Sequence, residues 1–246
     1  MDKDIEKARE LVRGSKRILI FTGAGISTGS GIPDYRGPGG VWLKREPVLY
    51  QEFIASTKSK VEYWRYKADT FPAFQAAVPN AAHKAIVELE KAGRLLALVT
   101  QNIDSLHRAA GTHTDKLIEL HGSGLYAECL DCFAWVSMAE ALASFKADGA
   151  PPLCSCGGWL KPAVVMFGEP LEREHLVKAF KAAEDCDLVI SAGSSLAVEP
   201  AASVPMAAKA GGKFYIIVNR GPTAHDKCAD IKLDGDVCEI LPALLS

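Results

Sequence analysis

A short apolar run that leads into a glycine-rich turn constrains this chain more than any other feature. Residues 18–22 are apolar and mostly β-branched or aromatic, and Gly23 and Gly25 follow at once. Such a turn lets the backbone approach a phosphate, with the N–H groups of the following helical turn aimed at its charge, as in dinucleotide sites. Thr28 stands where a regular GxGxxG pattern has its third glycine. A plain strand-to-helix turn, for which glycine is the ordinary choice, therefore remains the alternative.

Short apolar strands alternate with helical patterns along the chain. The patterns predict strands at 17–22, 95–100, 188–192 and 214–219, and helices at 2–13, 80–93, 172–184, 200–211 and 236–245. Strands that are apolar throughout are typical of a parallel sheet covered by helices on both faces. We therefore expect an α/β fold, a Rossmann-like doubly wound parallel sheet, with a ligand site where the glycine turns follow the strands.

Two stretches interrupt this alternation and predict insertions. Residues 39–79 are rich in aromatic residues at helical spacings, and residues 122–166 contain two cysteine pairs. The nucleotide-binding domain is then expected at 1–38, 80–121 and 167–246, with a helical insert at 39–79 and a zinc-ribbon insert at 122–166. Because pockets prefer such junctions, the cleft between the core and the inserts is the expected active site.

The close cysteines predict a metal site. Cys129 and Cys132 form a CxxC pair, whereas Cys154 and Cys156 are one residue closer together. Two thiol pairs separated by a loop suit a tetrahedral four-thiolate zinc site, which is closed and therefore structural. The shortened second pair changes the local geometry, so the sequence leaves undecided whether zinc fully occupies the site.

The composition limits the expected partners. The 246 residues carry a formal net charge of −2, with Lys and Arg interspersed among acids, so no basic stripe for nucleic acid is present. No apolar run approaches the ~18 residues that span a bilayer, and the first residues lack the apolar core of a signal peptide. We expect a cytoplasmic monomer that binds neither nucleic acid nor membranes.

Further motifs complete a recognisable set. After Gly23-Ala24-Gly25-Ile26-Ser27 and Pro33-Asp34-Tyr35-Arg36 come Gln101-Asn102-Ile103-Asp104, His121-Gly122 and Gly193-Ser194-Ser195. In this order and at these separations the chain resembles the sirtuins, a family of NAD-consuming protein deacylases, nearly from end to end. The Leu-Lys-Pro at 160–162 and the Gly-Pro-Thr at 221–223 look most like the class II branch.

Taken singly, these motifs have structural explanations as well. Asn102 and Asp104 can cap the helix that follows them, and one histidine among six is more often structural than catalytic. His121 also suits general-base work, because the intrinsic pKa of an imidazole lies close to cellular pH. The motifs therefore predict chemistry only when they are taken together.

The resemblance implies a role for each of these residues. His121 would be the catalytic base, Asn102 and Asp104 would hold the nicotinamide carboxamide and orient the ribose, and Asn219 would bind ribose hydroxyls. The residues implied for NAD are Gly23, Ala24, Gly25, Ser27, Thr28, Asp34, Tyr35, Arg36, Trp42, Gln101, Asn102, Ile103, Asp104, His121, Gly193, Ser194, Ser195, Asn219, Arg220, Gly221 and Val237. The four close cysteines would hold one structural zinc ion.

The resemblance also implies the substrate. Sirtuins bind an acylated-lysine protein segment as an added strand, and Val165, Phe167 and Val198 correspond to the tunnel around the acyl-lysine. An apolar tunnel favours a neutral acyl-lysine over a charged lysine, because burying an unpaired ammonium is costly. In that family the acyl oxygen attacks the ribose C1′ of NAD, nicotinamide leaves, and the acyl group ends on ADP-ribose.

Other functions remain open at this point. Mono-ADP-ribosyl transfer to protein shares the first step, and the same core could serve a nicotinamide oxidoreductase or a non-catalytic NAD sensor. The protein targets and the preferred acyl chain are not given by the sequence. A succinyl preference is not expected, because Trp64 and Lys67 stand where succinyl-preferring branches carry Tyr and Arg.

Overall fold

The structure is a computed structural model that describes residues 2–35, 40 and 46–246. Two residues expected to bind NAD, Arg36 and Trp42, lie outside the described residues. The strands are β1 (Ile18–Thr22), β2 (Leu95–Thr100), β3 (Leu117–Glu119), β4 (Gly122–Cys129), β5 (Trp135–Ser137), β6 (Leu160–Val164), β7 (Leu188–Ala192), β8 (Phe214–Val218) and β9 (Ile231–Leu233). The helices are α1 (Asp2–Gly14), α2 (Tyr50–Ala55), α3 (Thr57–Ala76), α4 (Ala81–Lys91), α5 (Leu106–Ala110), α6 (Met138–Asp148), α7 (Arg173–Asp185), α8 (Ser203–Ala210) and α9 (Val237–Leu245).

Six strands form one sheet in the order β3-β2-β1-β7-β8-β9. Every neighbouring pair in it is parallel, and β1, β7 and β8 are in simple register, with Ile20 beside Ile190 and Ile190 beside Ile216. All residues of β1 and β7 are buried. Burial on both faces explains why these strands are apolar without alternation. The predicted fold class, a doubly wound parallel sheet, is confirmed.

Alternate residues of β1 pack into two separate cores, one on each side of the sheet. Ile18 and Ile20 contact the core that includes α1, α4 and α9. Leu19 and Phe21 contact the core that includes α7 and α8. Because helices cover both faces of the sheet, a ligand site must lie where the strands end.

Two local predictions differ from the structure. The residues after β1 form a 3-10 helix over Ala24–Ser30, which ends at Gly31 in a left-handed conformation with φ of 85°. The edge strands β3 and β9 were not among the predicted strands, because each has only three residues and includes a charged one, Glu119 or Lys232. The other predicted strands and helices lie within about three residues of the observed ends, which is common for helix and strand boundaries.

The two predicted inserts share one core. The antiparallel strands β5-β4-β6 and α6 pack against α2 and α3 through Phe53, Trp64, Ala127 and Met138. The Trp64 side chain is fully buried, and its indole N–H donates to the carbonyl oxygen of Leu160 at 3.3 Å. We call this unit the small lobe. The numerical domain boundaries stay predictions.

Helix α3 forms one wall of the cleft between the sheet and the small lobe. It spans 20 residues, and the Ser56 side chain caps its start by accepting from the Ser59 N–H. Trp64 faces the core of the small lobe, whereas Tyr63 and Lys67 line the cleft. No helix in the described ranges combines the length and the hydropathy that crossing a membrane requires.

Candidate functional site

The two predicted glycine turns contact each other at the carboxyl ends of β1 and β7. The Gly25 N–H donates to the Gly193 carbonyl oxygen at 2.8 Å. A Cβ on Gly23 would lie 2.8 Å from the Ser194 Cβ, and one on Gly193, where φ is 65°, would collide with the backbone nitrogen of Ile26. Only glycine permits this approach, so the turns form a single cradle of backbone groups.

Asn102 lies at the floor of this cradle in a buried hydrogen-bond network. Its Nδ2 donates to the Gly23 carbonyl oxygen at 3.1 Å and to Ser27 Oγ at 3.2 Å. Ser27 Oγ donates to Asp104 Oδ2 at 2.6 Å. Both amide hydrogens of Asn102 are thus used by the protein, and its carbonyl oxygen is the part of the amide that can serve a ligand.

Asp104 lies just before the start of α5. Its Oδ1 accepts the Leu106 N–H at 2.9 Å. The N-cap residue is Ser105, so Asp104 bonds to the start of the helix from the position before the cap, and Asn102 does not cap it. Burial raises the pKa of Asp104 above 3.8, while the hydrogen bonds from Ser27 and Leu106 oppose that change. The structural and ligand-binding interpretations of this tetrapeptide are therefore compatible.

His121 faces the same cavity from the end of β3. Its Nδ1 lies 2.8 Å from the carbonyl oxygen of Gln101, which can only accept, so Nδ1 carries the hydrogen and Nε2 is left as the acceptor. Burial lowers the pKa of His121 below 6.5, and the bond to Gln101 opposes this in part. At neutral pH the ring is therefore mainly uncharged and able to accept a proton at Nε2.

The second half of the cradle follows β7 and β8. Gln101 Nε2 donates to Ser194 Oγ at 3.0 Å, which links the two halves. Asn219 Nδ2 donates to the carbonyl oxygens of Arg220 and Gly221 at 3.0 and 3.3 Å. Asn219 therefore holds the turn that follows β8, with its amide oxygen left for hydroxyl groups.

These elements line one cavity of about 860 Å³. The predicted NAD residues that line it are Gly23, Ala24, Gly25, Thr28, Asp34, Tyr35, Gln101, Asn102, Ile103, His121, Gly193, Ser194, Ser195, Asn219, Arg220, Gly221 and Val237. Ser27 and Asp104 line a small adjoining pocket that shares Ala24, Tyr35 and Asn102 with it. The structure thus brings together every predicted NAD residue that lies within its described ranges.

The three residues expected around the acyl-lysine lie on the same cavity. Val165 and Phe167 follow β6, and Val198 lies on the loop after β7. Phe167 is 37% exposed although it is a large apolar residue. The backbone N–H of Val165 donates to the His121 carbonyl oxygen at 3.0 Å. The segment that would bind substrate is therefore joined directly to the residue expected to act as base.

The four close cysteines form a separate cluster in the small lobe. The Sγ atoms of Cys129, Cys132, Cys154 and Cys156 all lie within 4.8 Å of one another. Cys129 and Cys154 are buried, and the other two are exposed. Four thiols at this separation suit one tetrahedral zinc ion with no open position. The shortened second pair still brings both of its thiols to the cluster.

Part of the cavity wall was not predicted from the sequence. Tyr63, Tyr66, Lys67 and Phe74 all lie on one face of α3 and line the cavity. Their spacing of three, four and seven residues is the helical signal that could have identified this wall. Trp64, matched from the sequence with a residue that reads the acyl chain, instead packs in the core of the small lobe. Lys67 does line the cavity, beside Tyr63.

Comparison with known proteins identifies the family. The model of the Sir2 family matches residues 23–200. A "NAD-dependent protein deacetylase" of Thermodesulfovibrio yellowstonii is 42% identical over 98% of this chain and 94% of its own length. A "NAD-dependent protein deacylase 2" of Archaeoglobus fulgidus is 40% identical over 100% and 96%. A solved structure described as "Sir2-p53 peptide-NAD+" is 35% identical, with a TM-score of 0.88 over 96% of this chain and 95% of that one. As its motifs predict, the chain belongs to the Sir2 family.

Proposed function

We propose that this protein is an NAD-dependent protein-lysine deacylase. It transfers the acyl group of an acyl-lysine to ADP-ribose and releases nicotinamide. The observation that carries the proposal is the convergence of the glycine cradle, Asn102 and His121 on one cavity. The names of the related proteins and the solved complex with a peptide and NAD+ support it.

The cradle fits NAD, because Gly23, Gly25 and Gly193 carry no side chains and let a pyrophosphate approach the backbone at the carboxyl ends of β1 and β7. Asn219 would hold a ribose through its amide oxygen, and Asn102 would hold the nicotinamide carboxamide. When it is bound, NAD supplies a ribose C1′ from which nicotinamide can leave. Arg36 and Trp42 remain proposed NAD residues on the resemblance alone.

His121 is the proposed general base. With Nδ1–H held by the Gln101 carbonyl oxygen, its Nε2 can take a proton from a ribose hydroxyl. The lowered pKa keeps the ring unprotonated at pH 7. The described chain needs no nucleophile of its own in this reaction, because the acyl oxygen of the substrate fills that role.

The proposed substrate is an acylated lysine in an extended protein segment. It would add as a strand between the segment after β6 and the loop after β7, with its acyl chain near Val165, Phe167 and Val198. Cys129, Cys132, Cys154 and Cys156 would hold one zinc ion that stabilises the small lobe. We also propose that the protein is a monomer of the class II branch and works in the cytoplasm. Its proposed partners include neither nucleic acid nor membranes.

Incubation with NAD and an acetylated peptide, followed by mass spectrometry, tests the function. We expect deacetylated peptide, nicotinamide and O-acetyl-ADP-ribose in equal amounts. ADP-ribosylated protein would instead identify a transferase, hydride transfer an oxidoreductase, and intact NAD a sensor. His121→Ala should remove most of the activity, whereas His113→Ala, at an exposed site paired with Asp115, should leave it unchanged.

A further inference from the structure

A buried ion pair joins the two ends of the segment proposed to bind the peptide, and its acidic member, Glu169, also lines the cavity. Lys161 Nζ is 3.0 Å from Glu169 Oε2, and the two side chains are 6% and 18% exposed. Lys161 Nζ also donates to the Val164 carbonyl oxygen at 2.8 Å and lies 5.9 Å from the centre of the Tyr50 ring. Of the Lys and Arg ion pairs within the described ranges, this one has the least exposed side chains.

The pair holds the backbone that carries Val165 and Phe167. Glu169 Oε2 accepts the Met166 N–H at 2.8 Å, and the Glu169 N–H donates to the Met166 carbonyl oxygen at 3.0 Å. The second bond closes a β-turn in which Gly168, at φ of 82°, takes the left-handed position that a type II turn requires. Both polar backbone groups of Met166 are therefore bonded to one carboxylate-bearing residue, whose charge Lys161 balances.

Hydrogen bonds also hold the residues on either side of Met166. The Val165 N–H donates to the His121 carbonyl oxygen, and the Tyr50 N–H donates to the Phe167 carbonyl oxygen at 2.8 Å. The segment from Val164 to Glu169 is thus bonded at each of its first four residues, although it lies at the rim of an open cavity. Loops in that position are usually mobile, so such a set of bonds requires a physical explanation.

Stability alone is a poor explanation. A buried ion pair adds little net stability compared with apolar residues of the same volume, because both charges must be desolvated. Geometry is a better one, since an added strand binds through backbone groups, and fixing those groups beforehand removes an entropic cost from binding. The pair would fix these groups while it also keeps the segment beside His121.

We propose that Lys161 and Glu169 are positioning residues for the acyl-peptide. They hold the backbone of Val165 to Phe167 in the conformation that pairs with the substrate strand and keep it aligned with His121. The proposal rests on the proposed deacylase function, and it adds that affinity for the peptide, rather than for NAD, depends on this pair.

Steady-state kinetics of Lys161→Met and Lys161→Arg test the proposal. Lys161→Met should raise KM for the acetylated peptide by at least ~10-fold and leave KM for NAD within ~2-fold. Lys161→Arg, which keeps the charge and can still donate to both partners, should restore the peptide KM to within ~3-fold of the parent value. Lys178→Met, which removes an equal charge from an exposed pair with Glu174 on α7, should change neither constant.

A second variant and a binding assay separate the positioning role from the proposed deacylase function. Glu169→Gln keeps the shape of the side chain and should raise the peptide KM by an intermediate factor. Anisotropy of a labelled acetyl-peptide, measured with ADP-ribose present, reports peptide affinity without turnover. If the parent protein binds the peptide but does not deacylate it, the proposed function fails and the positioning role is still decided by that affinity. An unchanged peptide affinity in Lys161→Met, or an equal rise in both KM values, would overturn the positioning role.

Discussion

The cost of burying Lys67 can be measured directly. Lys67 is only 7% exposed, and its ammonium lies 5.7 Å and 5.9 Å from the ring centres of Tyr63 and Phe74. In the parts of the chain that the structure describes, no carboxylate forms an ion pair with it. Burial lowers the pKa of Lys67 to about 8. Burial therefore destabilises the charged form relative to water, although this form still predominates below pH 8.

The size of this cost follows from proton linkage. The pKa of Lys67 falls from 10.5, its ordinary value in water and in the unfolded chain, to about 8 in the folded protein. That difference corresponds to ~3 kcal/mol, at ~1.4 kcal/mol for each pH unit. Between pH 8 and 10.5 the unfolded chain binds the proton more tightly, so this residue makes the free energy of unfolding rise with pH there. Below pH 8 the whole cost is present.

Replacement of Lys67 by Met should remove this cost. At pH 7 we expect the free energy of unfolding to rise by ~1–3 kcal/mol, allowing for the lost contacts between the ammonium and the rings. In a protein of this size that corresponds to an increase in Tm of ~2–12 °C. Lys58→Met, at an exposed position in the first turn of α3, is the matched control and should change Tm by less than ~2 °C.

Urea unfolding of the three proteins at pH 7 and pH 10.5 is the assay. The advantage of Lys67→Met over the parent should be largest at pH 7 and should shrink towards zero at pH 10.5, because the parent lysine is then neutral in the folded state. A variant that is less stable than the parent at pH 7, or an advantage that does not change with pH, would refute the electrostatic reasoning.

Four further predictions concern the site and the separate cysteine cluster. Gly193→Ala should raise KM for NAD by at least ~10-fold in kinetic assays, because its Cβ would collide with the Ile26 backbone nitrogen. Cys129→Ser should lower both Tm and the zinc content measured by atomic emission. A Cys129→Ser variant that still holds one zinc ion per chain would contradict the four-thiolate site. The acid limb of kcat/KM should lie below pH 6.5, because the pKa of His121 is lowered; a limb centred above pH 7 would exclude it as the base. Asp104→Asn should reduce kcat/KM for NAD more than Ser27→Ala does.

The four central strands of the main sheet, β2, β1, β7 and β8, could be predicted from the sequence because they are almost entirely apolar. β1 and β7 are buried on both faces, and a glycine turn follows each, so strand, turn and ligand site coincide. His121 and the Gln101–Asp104 segment also lie at strand ends, where parallel sheets bind ligands. Local sequence is informative there because one element supplies both the fold and the site.

The rest of the site depends on long-range packing that local patterns do not contain. Lys161 and Glu169 lie eight residues apart, and only the turn at Gly168 brings their charges together. Trp64 and Lys67 are three residues apart on α3, yet one packs in the small lobe and the other lines the cavity. Which face of α3 meets the cleft is decided by the shared core of the two inserts, and neither insert reveals it alone.

The orientation of the Asn102 amide follows from the charge of Asp104. A carboxylate can only accept, so Ser27 must donate its hydroxyl hydrogen to Asp104 Oδ2. Ser27 Oγ must then accept from Asn102, which fixes the NH2 group towards Ser27 and the Gly23 carbonyl oxygen. An amide at position 104 could donate to Ser27, whose hydroxyl hydrogen would then point at the NH2 group of Asn102. Asp104→Asn therefore opposes the orientation of Asn102 that the Gly23 carbonyl oxygen holds, whereas Ser27→Ala leaves the bond to Gly23 unopposed. This difference is the reason for the expected order of the two variants.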